Sequence, residues 1–358
     1  MRGKSTNTLL LLAIFTTLFL ITTCGEDITT SPQETEKLWC DNAEMICLGY
    51  PLNEKLHYFL ENIRLSPDET KIAYSLSTGK GSVREIWIVN SDGTEPKLFY
   101  QAPESIEYPE IDVATWSPDM QYIAFCMGGY YGERKLYYIS VDGGEPIEIP
   151  TPPDIIPQYP DWSPDGEWIS FYHADYYKSD IYKIRIDGTD FTRLTNCGYN
   201  AGAHGPRWSP DGVWIVFSYH DNMVVDLDIY KIPSYGGEPI RLTDTPNYWV
   251  KHPCWSPDGE WVAYSKELIY GLPGWEPNDI WITRADGSME SYQISNSLPD
   301  GEQPYDIFGD YCSSWGREIG ILFWNTERDW KYNSLGTQIF KIDPKEGWDF
   351  QRVKLINP

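Results

Sequence analysis

With 53 Asp and Glu against 28 Lys and Arg in 358 residues, the chain carries a formal charge of −25. That field repels phosphates, which argues against nucleic acid or an anionic membrane surface as the partner. The 16 Trp, 26 Tyr, 29 Gly and 27 Pro suit many short strands joined by tight turns and argue against extended helix.

Residues 1–23 read as a cleaved export signal: Arg2 and Lys4 precede an apolar run from Leu9 to Ile21 that is short for a bilayer span. Ile21-Thr22-Thr23-Cys24 resembles a bacterial lipobox, which implies lipidation at Cys24, the other reading being ordinary signal-peptidase cleavage nearby. With Gly25 and not Asp next, the resemblance implies an exported protein held by its anchor in the outer membrane facing the periplasm, or at the cell surface. Residues 24–37 form a polar tether. Beyond Cys24 six cysteines remain, an even number that permits disulfides in an exported chain. Cys40 and Cys47 are the first candidates to pair, while Cys126, Cys197, Cys254 and Cys312 fall in or beside strands as buried thiols. The absence of C-x-x-C spacing argues against zinc.

Residues 38–358 read as one domain, with repeat units from about residue 55. Four clear copies run Trp116-Ser117-Pro118-Asp119, Trp162-Ser163-Pro164-Asp165, Trp208-Ser209-Pro210-Asp211 and Trp255-Ser256-Pro257-Asp258. Leu65-Ser66-Pro67-Asp68 is an earlier copy without its Trp, and Ser314-Trp315-Gly316 a degenerate last one. Each precedes a short apolar stretch, such as Ile72-Ala73-Tyr74 or Ile169-Ser170-Phe171, so six units register. Within a unit a first strand ends at the Trp, and Ser-Pro-Asp-Gly turns the chain: Pro fixes φ, Asp bonds nearby N–H groups, and Gly accepts positive φ. A second strand, a third such as Ile229-Tyr230-Lys231-Ile232, an Asp-Gly hairpin and a fourth strand complete it.

Four antiparallel strands per unit, six times over, predict an all-β, six-bladed β-propeller of four-stranded antiparallel blades. The last unit ends in Arg352-Val353-Lys354-Leu355, read as its fourth strand, and residues 38–60 either add an edge strand or cover one.

Strand polarity puts the Ser-Pro-Asp-Gly and Asp-Gly turns on one face, where they are turn chemistry and not catalytic serines. The opposite face collects His204 and His252 just before the Trp of the fourth and fifth units, and His173 and His220 at the ends of second strands. Tyr159, Asp175, Asp221, Lys251 and Lys266 lie near them, with Asn62 and Asp112 at matching entry positions. Trp249 and Tyr177 are among the loop aromatics of that face, on which a peptide or sugar could stack. The candidate ligand-binding set is therefore His173, His204, His220, His252, Tyr159, Asp175, Asp221 and Trp249, against the plainer reading of strand-end groups that satisfy local backbone.

The Trp-Ser-Pro-Asp-Gly copies resemble the repeats of TolB-type periplasmic propellers over about residues 55–358, though without the α/β domain that precedes the propeller in TolB itself. The missing catalytic apparatus and the loop face point to a non-catalytic binding or scaffolding lipoprotein of the bacterial envelope, with no cofactor and no metal. Its expected partner is an envelope protein, peptide or glycan; it would touch the membrane only through its anchor and act as a monomer. Related repeats also occur in prolyl-oligopeptidase-type peptidases, whose Gly-x-Ser-x-Gly elbow is missing here. They occur too in oligogalacturonate lyases, which leaves a polysaccharide lyase or other metal-dependent enzyme at the channel mouth as the alternative.

Overall fold

The computed structural model describes residues 43–46, 59–77, 83–129, 133–175, 177–221, 226–269, 279–294, 307–318, 320–327 and 338–342. The expectations for the export signal, Cys24, the tether and the Cys40–Cys47 pair lie outside them. Every regular element among the described residues is a strand.

A lone strand, β1 (Ala43–Ile46), precedes the first sheet, which holds β2 (Phe59–Leu65), β3 (Lys71–Ser77), β4 (Val83–Asn90) and β5 (Lys97–Gln101). The second is β6 (Pro109–Trp116), β7 (Tyr122–Gly129), β8 (Arg134–Ser140) and β9 (Ile147–Ile149). The third is β10 (Pro157–Trp162), β11 (Trp168–Ala174), β12 (Ser179–Arg185) and β13 (Thr192–Arg193). The fourth is β14 (Gly202–Trp208), β15 (Trp214–His220), β16 (Asp228–Pro233) and β17 (Ile240–Arg241). The fifth is β18 (Tyr248–Trp255), β19 (Trp261–Leu268), β20 (Asp279–Arg284) and β21 (Ser291–Gln293), and the last brings β22 (Ile307–Gly316), β23 (Gly320–Glu327) and β24 (Gln338–Ile342).

Within each group of four the pairing is antiparallel in chain order, one parallel bridge from Ser179 to Gly202 joins the third group to the fourth, and β2, β6, β10, β14, β18 and β22 touch one another in sequence and back to the first, so the inner strands close a ring. The fourth strand of the last sheet is β1, paired antiparallel to β24 from Ala43 opposite Ile342 to Ile46 opposite Ile339. This settles the latch that the sequence leaves open. Residues 352–355 lie outside the described set, and the edge of β24 that they were expected to take is held by β1.

The core lies between sheets. Along β7, Ile123, Phe125 and Met127 pack back onto Ala73 and Ile86 of the first sheet, while Ala124 and Cys126 pack forward onto Trp162, Ile169 and Phe171 of the third. Two-residue periodicity thus feeds two neighbours at once, and the second strands read as continuous apolar runs because both faces are covered. Cys126, Cys197 and Cys254 are buried, as expected of strand cysteines.

Five of the turns are closed by their own side chains. The buried hydroxyls of Ser66, Ser117, Ser163, Ser209 and Ser256 donate to the Asp two residues on at 2.5 to 2.7 Å. They also accept the N–H of the residue five on at 2.9 to 3.0 Å. The Trp joins sheets: Trp116 Nε1 donates to the Arg64 carbonyl at 3.2 Å, and Trp255 Nε1 to that of Arg207 at 3.1 Å. A second lock is absent from the sequence reading: buried Asp180 accepts from Thr195 and Cys197, and buried Asp228 from Thr243 and Thr245, which ties each third strand to the chain beyond the fourth.

Candidate functional site

The inner strands carry a register shift just before the Trp position in every sheet. At the third residue before that position the backbone turns left-handed in four of them: Asn62 (φ 57°), Tyr159 (φ 51°), Gly205 (φ 59°) and His252 (φ 55°). Gly accepts this freely and Asn readily, but a Tyr or His held there costs about 1–3 kcal/mol, strain that the bulge imposes to re-aim the strand.

These bulges open onto a cavity of about 440 Å³ lined from four sheets, by Asn62, Arg64, Tyr159, Tyr172, His204, Gly205, Pro206, Arg207, Ser218, His220, Leu227, Lys251 and His252. Of the candidate set, His204, His220, His252 and Tyr159 meet here. The others do not line it. His173 accepts the N–H of Ile156 at 3.0 Å, so it caps local backbone. Asp175 is exposed and receives the N–H groups of Tyr177 and Lys178, a turn function; Asp221 is exposed. Trp249 sits under the Lys251 ammonium, 4.2 Å from its ring centre.

The His204 and His220 rings stack with centroids 5.6 Å apart and planes 11° from parallel, and Tyr172 stands edge-on to His204 at 5.2 Å. Ser179 Oγ lies 3.1 Å from His204 Nε2. Gly202 makes room for this group, since a Cβ there would lie 2.7 Å from the Nε2 atoms of both histidines. Burial, then the neighbouring His220 and Lys251, push His204 down to about 4. Burial, then Lys251, Arg64 and Arg207, push His252 to about 3, and burial lowers His220. All three rings are therefore neutral at neutral pH, each with one N–H donor and one acceptor nitrogen.

The lining is cationic in an acidic protein: Arg64, Arg207 and Lys251 face it, and among the described residues no carboxylate does. Arg207 is paired with the half of the ring beside it, Nη1 donating to Asp161 at 3.1 Å, and Lys251 with Glu267 at 3.1 Å. At the other mouth, among the Ser-Pro turns, a cavity of about 370 Å³ is lined by the six residues just before the Trp position: Arg64, Thr115, Asp161, Arg207, Cys254 and Ser314. Arg64 and Arg207 line both. The sequence reading passed over this ring because it looked to loops, although the six residues share one repeat position. Among the described residues no three His, Cys, Asp or Glu stand close enough to hold a metal ion.

Residues 66–271 match the family described as the TolB beta propeller domain, more than half of the chain. An uncharacterised protein of Agrobacterium fabrum is 29% identical over 137 residues, which is 38% of this chain and 43% of that relative, so the match spans less than half of the relative's length. Among solved structures, a putative TolB from Agrobacterium tumefaciens superposes with TM-score 0.52 at 22% identity, over 66% of this chain and 83% of that one. The oligogalacturonate lyase of Vibrio parahaemolyticus superposes with TM-score 0.54 at 13% identity, over 79% and 77%. At such identities the two structures establish the shared fold alone.

Proposed function

The chain belongs to the TolB β-propeller family, and from that premise we propose that it is a non-catalytic binding or scaffolding lipoprotein of the bacterial envelope, exported and anchored through Cys24. It recognises its protein, peptide or glycan partner at the histidine-bearing mouth of the ring. The observation that carries this reading is the cavity of about 440 Å³ built jointly by four sheets, in which His204, His220, His252 and Tyr159 converge. A concave site fixed by inner strands is rigid, and variable loops around it supply specificity. The exposed, stacked pair Tyr177 and Tyr199, 4.9 Å between centroids, adds an aromatic surface nearby in sequence to Ser179 and Gly202.

The lyase alternative gains nothing from the cavity's electrostatics, because Arg64, Arg207 and Lys251 surround the histidines with positive charge that disfavours a divalent cation. The test is capture by the full-length protein in detergent. A specific envelope component should be retained, and His204→Ala and His252→Ala together should release it; capture indifferent to both would overturn the choice of face.

A further inference from the structure

Four other arginines at the ring and its edges each meet an Asp. Arg134 meets Asp112 at 2.6 Å, Arg193 meets Asp180 at 2.5 Å, Arg207 meets Asp161 at 3.1 Å and Arg241 meets Asp228 at 2.6 Å. Arg64 breaks the pattern. It is only 8% exposed, yet among the described residues no carboxylate lies within ion-pair distance of it. Its Nη1 donates to the adjacent Ile63 carbonyl at 2.9 Å, and its Nε has no partner. Across the ring stands a like charge, Arg207.

Asp161 on the same ring favours the Arg64 charge from beyond ion-pair distance, but that carboxylate is already held by Arg207; a buried guanidinium so weakly compensated is unfavourable, and proteins satisfy such groups with a partner or a ligand. Its planar fork matches a carboxylate. The net charge of −25 selects against a long polyanion, whose remaining charges would lie in the repulsive field outside the cavity; one carboxylate meets only the local positive lining.

Resting on the reading of this mouth as the binding face, we propose that the cavity receives a ligand presenting a single carboxylate and that Arg64 is the group that pairs with it.

The experiment is calorimetric titration of the full-length protein at fixed ionic strength with N-acetyl-trialanine, with its C-terminal amide, and with propionate. The free acid should bind about tenfold or more tightly than the amide, the worth of a charge-assisted hydrogen bond. Arg64→Gln should erase that preference, and Arg64→Lys should keep part of it. Propionate as tight as the tripeptide assigns the site to small acids, and weaker propionate assigns it to peptide ends; either supports the proposal. Equal binding of acid and amide, or an acid preference that survives Arg64→Gln, overturns it. If Arg64→Gln does not fold, the wild type decides alone: N-acetyl-trialanine raising the melting temperature above an equal concentration of its amide supports the site, and no difference overturns it. Partner capture that depends on His204 and His252 while no carboxylate binds would sink this proposal and leave the binding face standing; Arg64-dependent carboxylate binding without such capture would do the reverse.

Discussion

Arg64 and Arg207 hold the same repeat position in the first and fourth of six sheets, half a ring apart, and both line the cavities at the two mouths. The likeness of position does not extend to their surroundings. Asp161 on the neighbouring inner strand reaches Arg207 and also accepts the backbone N–H of Trp208 at 2.8 Å, so that charge is part of the joint between the third and fourth sheets. For Arg64, burial first and Arg207 second disfavour the charged form, and Asp161 offsets them only in part, from beyond ion-pair distance.

Replacing Arg64 by Met keeps the aliphatic bulk and removes the unpaired charge. Exchanging buried ions for apolar groups of like volume is commonly neutral or stabilising by about 1–4 kcal/mol. Urea unfolding should therefore show Arg64→Met as stable as the wild type or more so. A loss above about 2 kcal/mol would mean that Arg64 is structural cement, and the same change at Arg207, which leaves Asp161 buried and unpaired, should show such a loss.

The turn serines should behave as scaffold. Ser163 is fully buried and makes two hydrogen bonds, to Asp165 and from the N–H of Trp168. Ser163→Ala leaves the strand-end N–H of Trp168 without its acceptor, so a loss of about 1–3 kcal/mol is expected in urea unfolding. Partner capture at the opposite mouth should be unchanged per folded molecule.

What the sequence revealed and what it hid divide along a physical line. The six units were legible because Pro, Asp and Gly act within five residues of one another, and the alternation of Ile181-Tyr182-Lys183-Ile184 reports its own pleat. The latch was not legible: Ala43-Glu44-Met45-Ile46 bears no mark of the repeat, and its place follows only from the free edge of β24. Half of the proposed site was found, since His204, His220, His252 and Tyr159 enter from inner or second strands whose direction the repeats define. His173 and Asp175 missed the cavity because short-range backbone donors claim them. The arginine pair was hidden because its members meet only when the ring closes.

The latch itself is testable. Removing residues 1–46 takes β1 away and exposes the backbone edge of β24, and an unpaired edge invites intermolecular pairing. The truncated protein should unfold at lower urea and associate in light scattering, whereas a chain truncated before residue 38 should match the full-length protein in both. Equal stability for the two truncations would show that β1 contributes nothing to closure.

Acid should loosen the cavity before it unfolds the rest. In the unfolded chain a histidine takes a proton near pH 6.5, whereas His204 resists to about 4 and His252 to about 3. Between those limits the unfolded state binds more protons, so stability falls as pH falls, by at most about 1.4 kcal/mol per pH unit for each ring. Above pH 6.5 neither ring contributes a slope. His252→Asn isolates the effect: Asn suits the left-handed backbone, as Asn62 shows at the same position of the first sheet, and it does not titrate. Urea midpoints measured from pH 7.5 down to 4 should converge on the wild type at the upper end and exceed it increasingly toward the lower, and parallel curves would show that His252 is not held neutral by its surroundings.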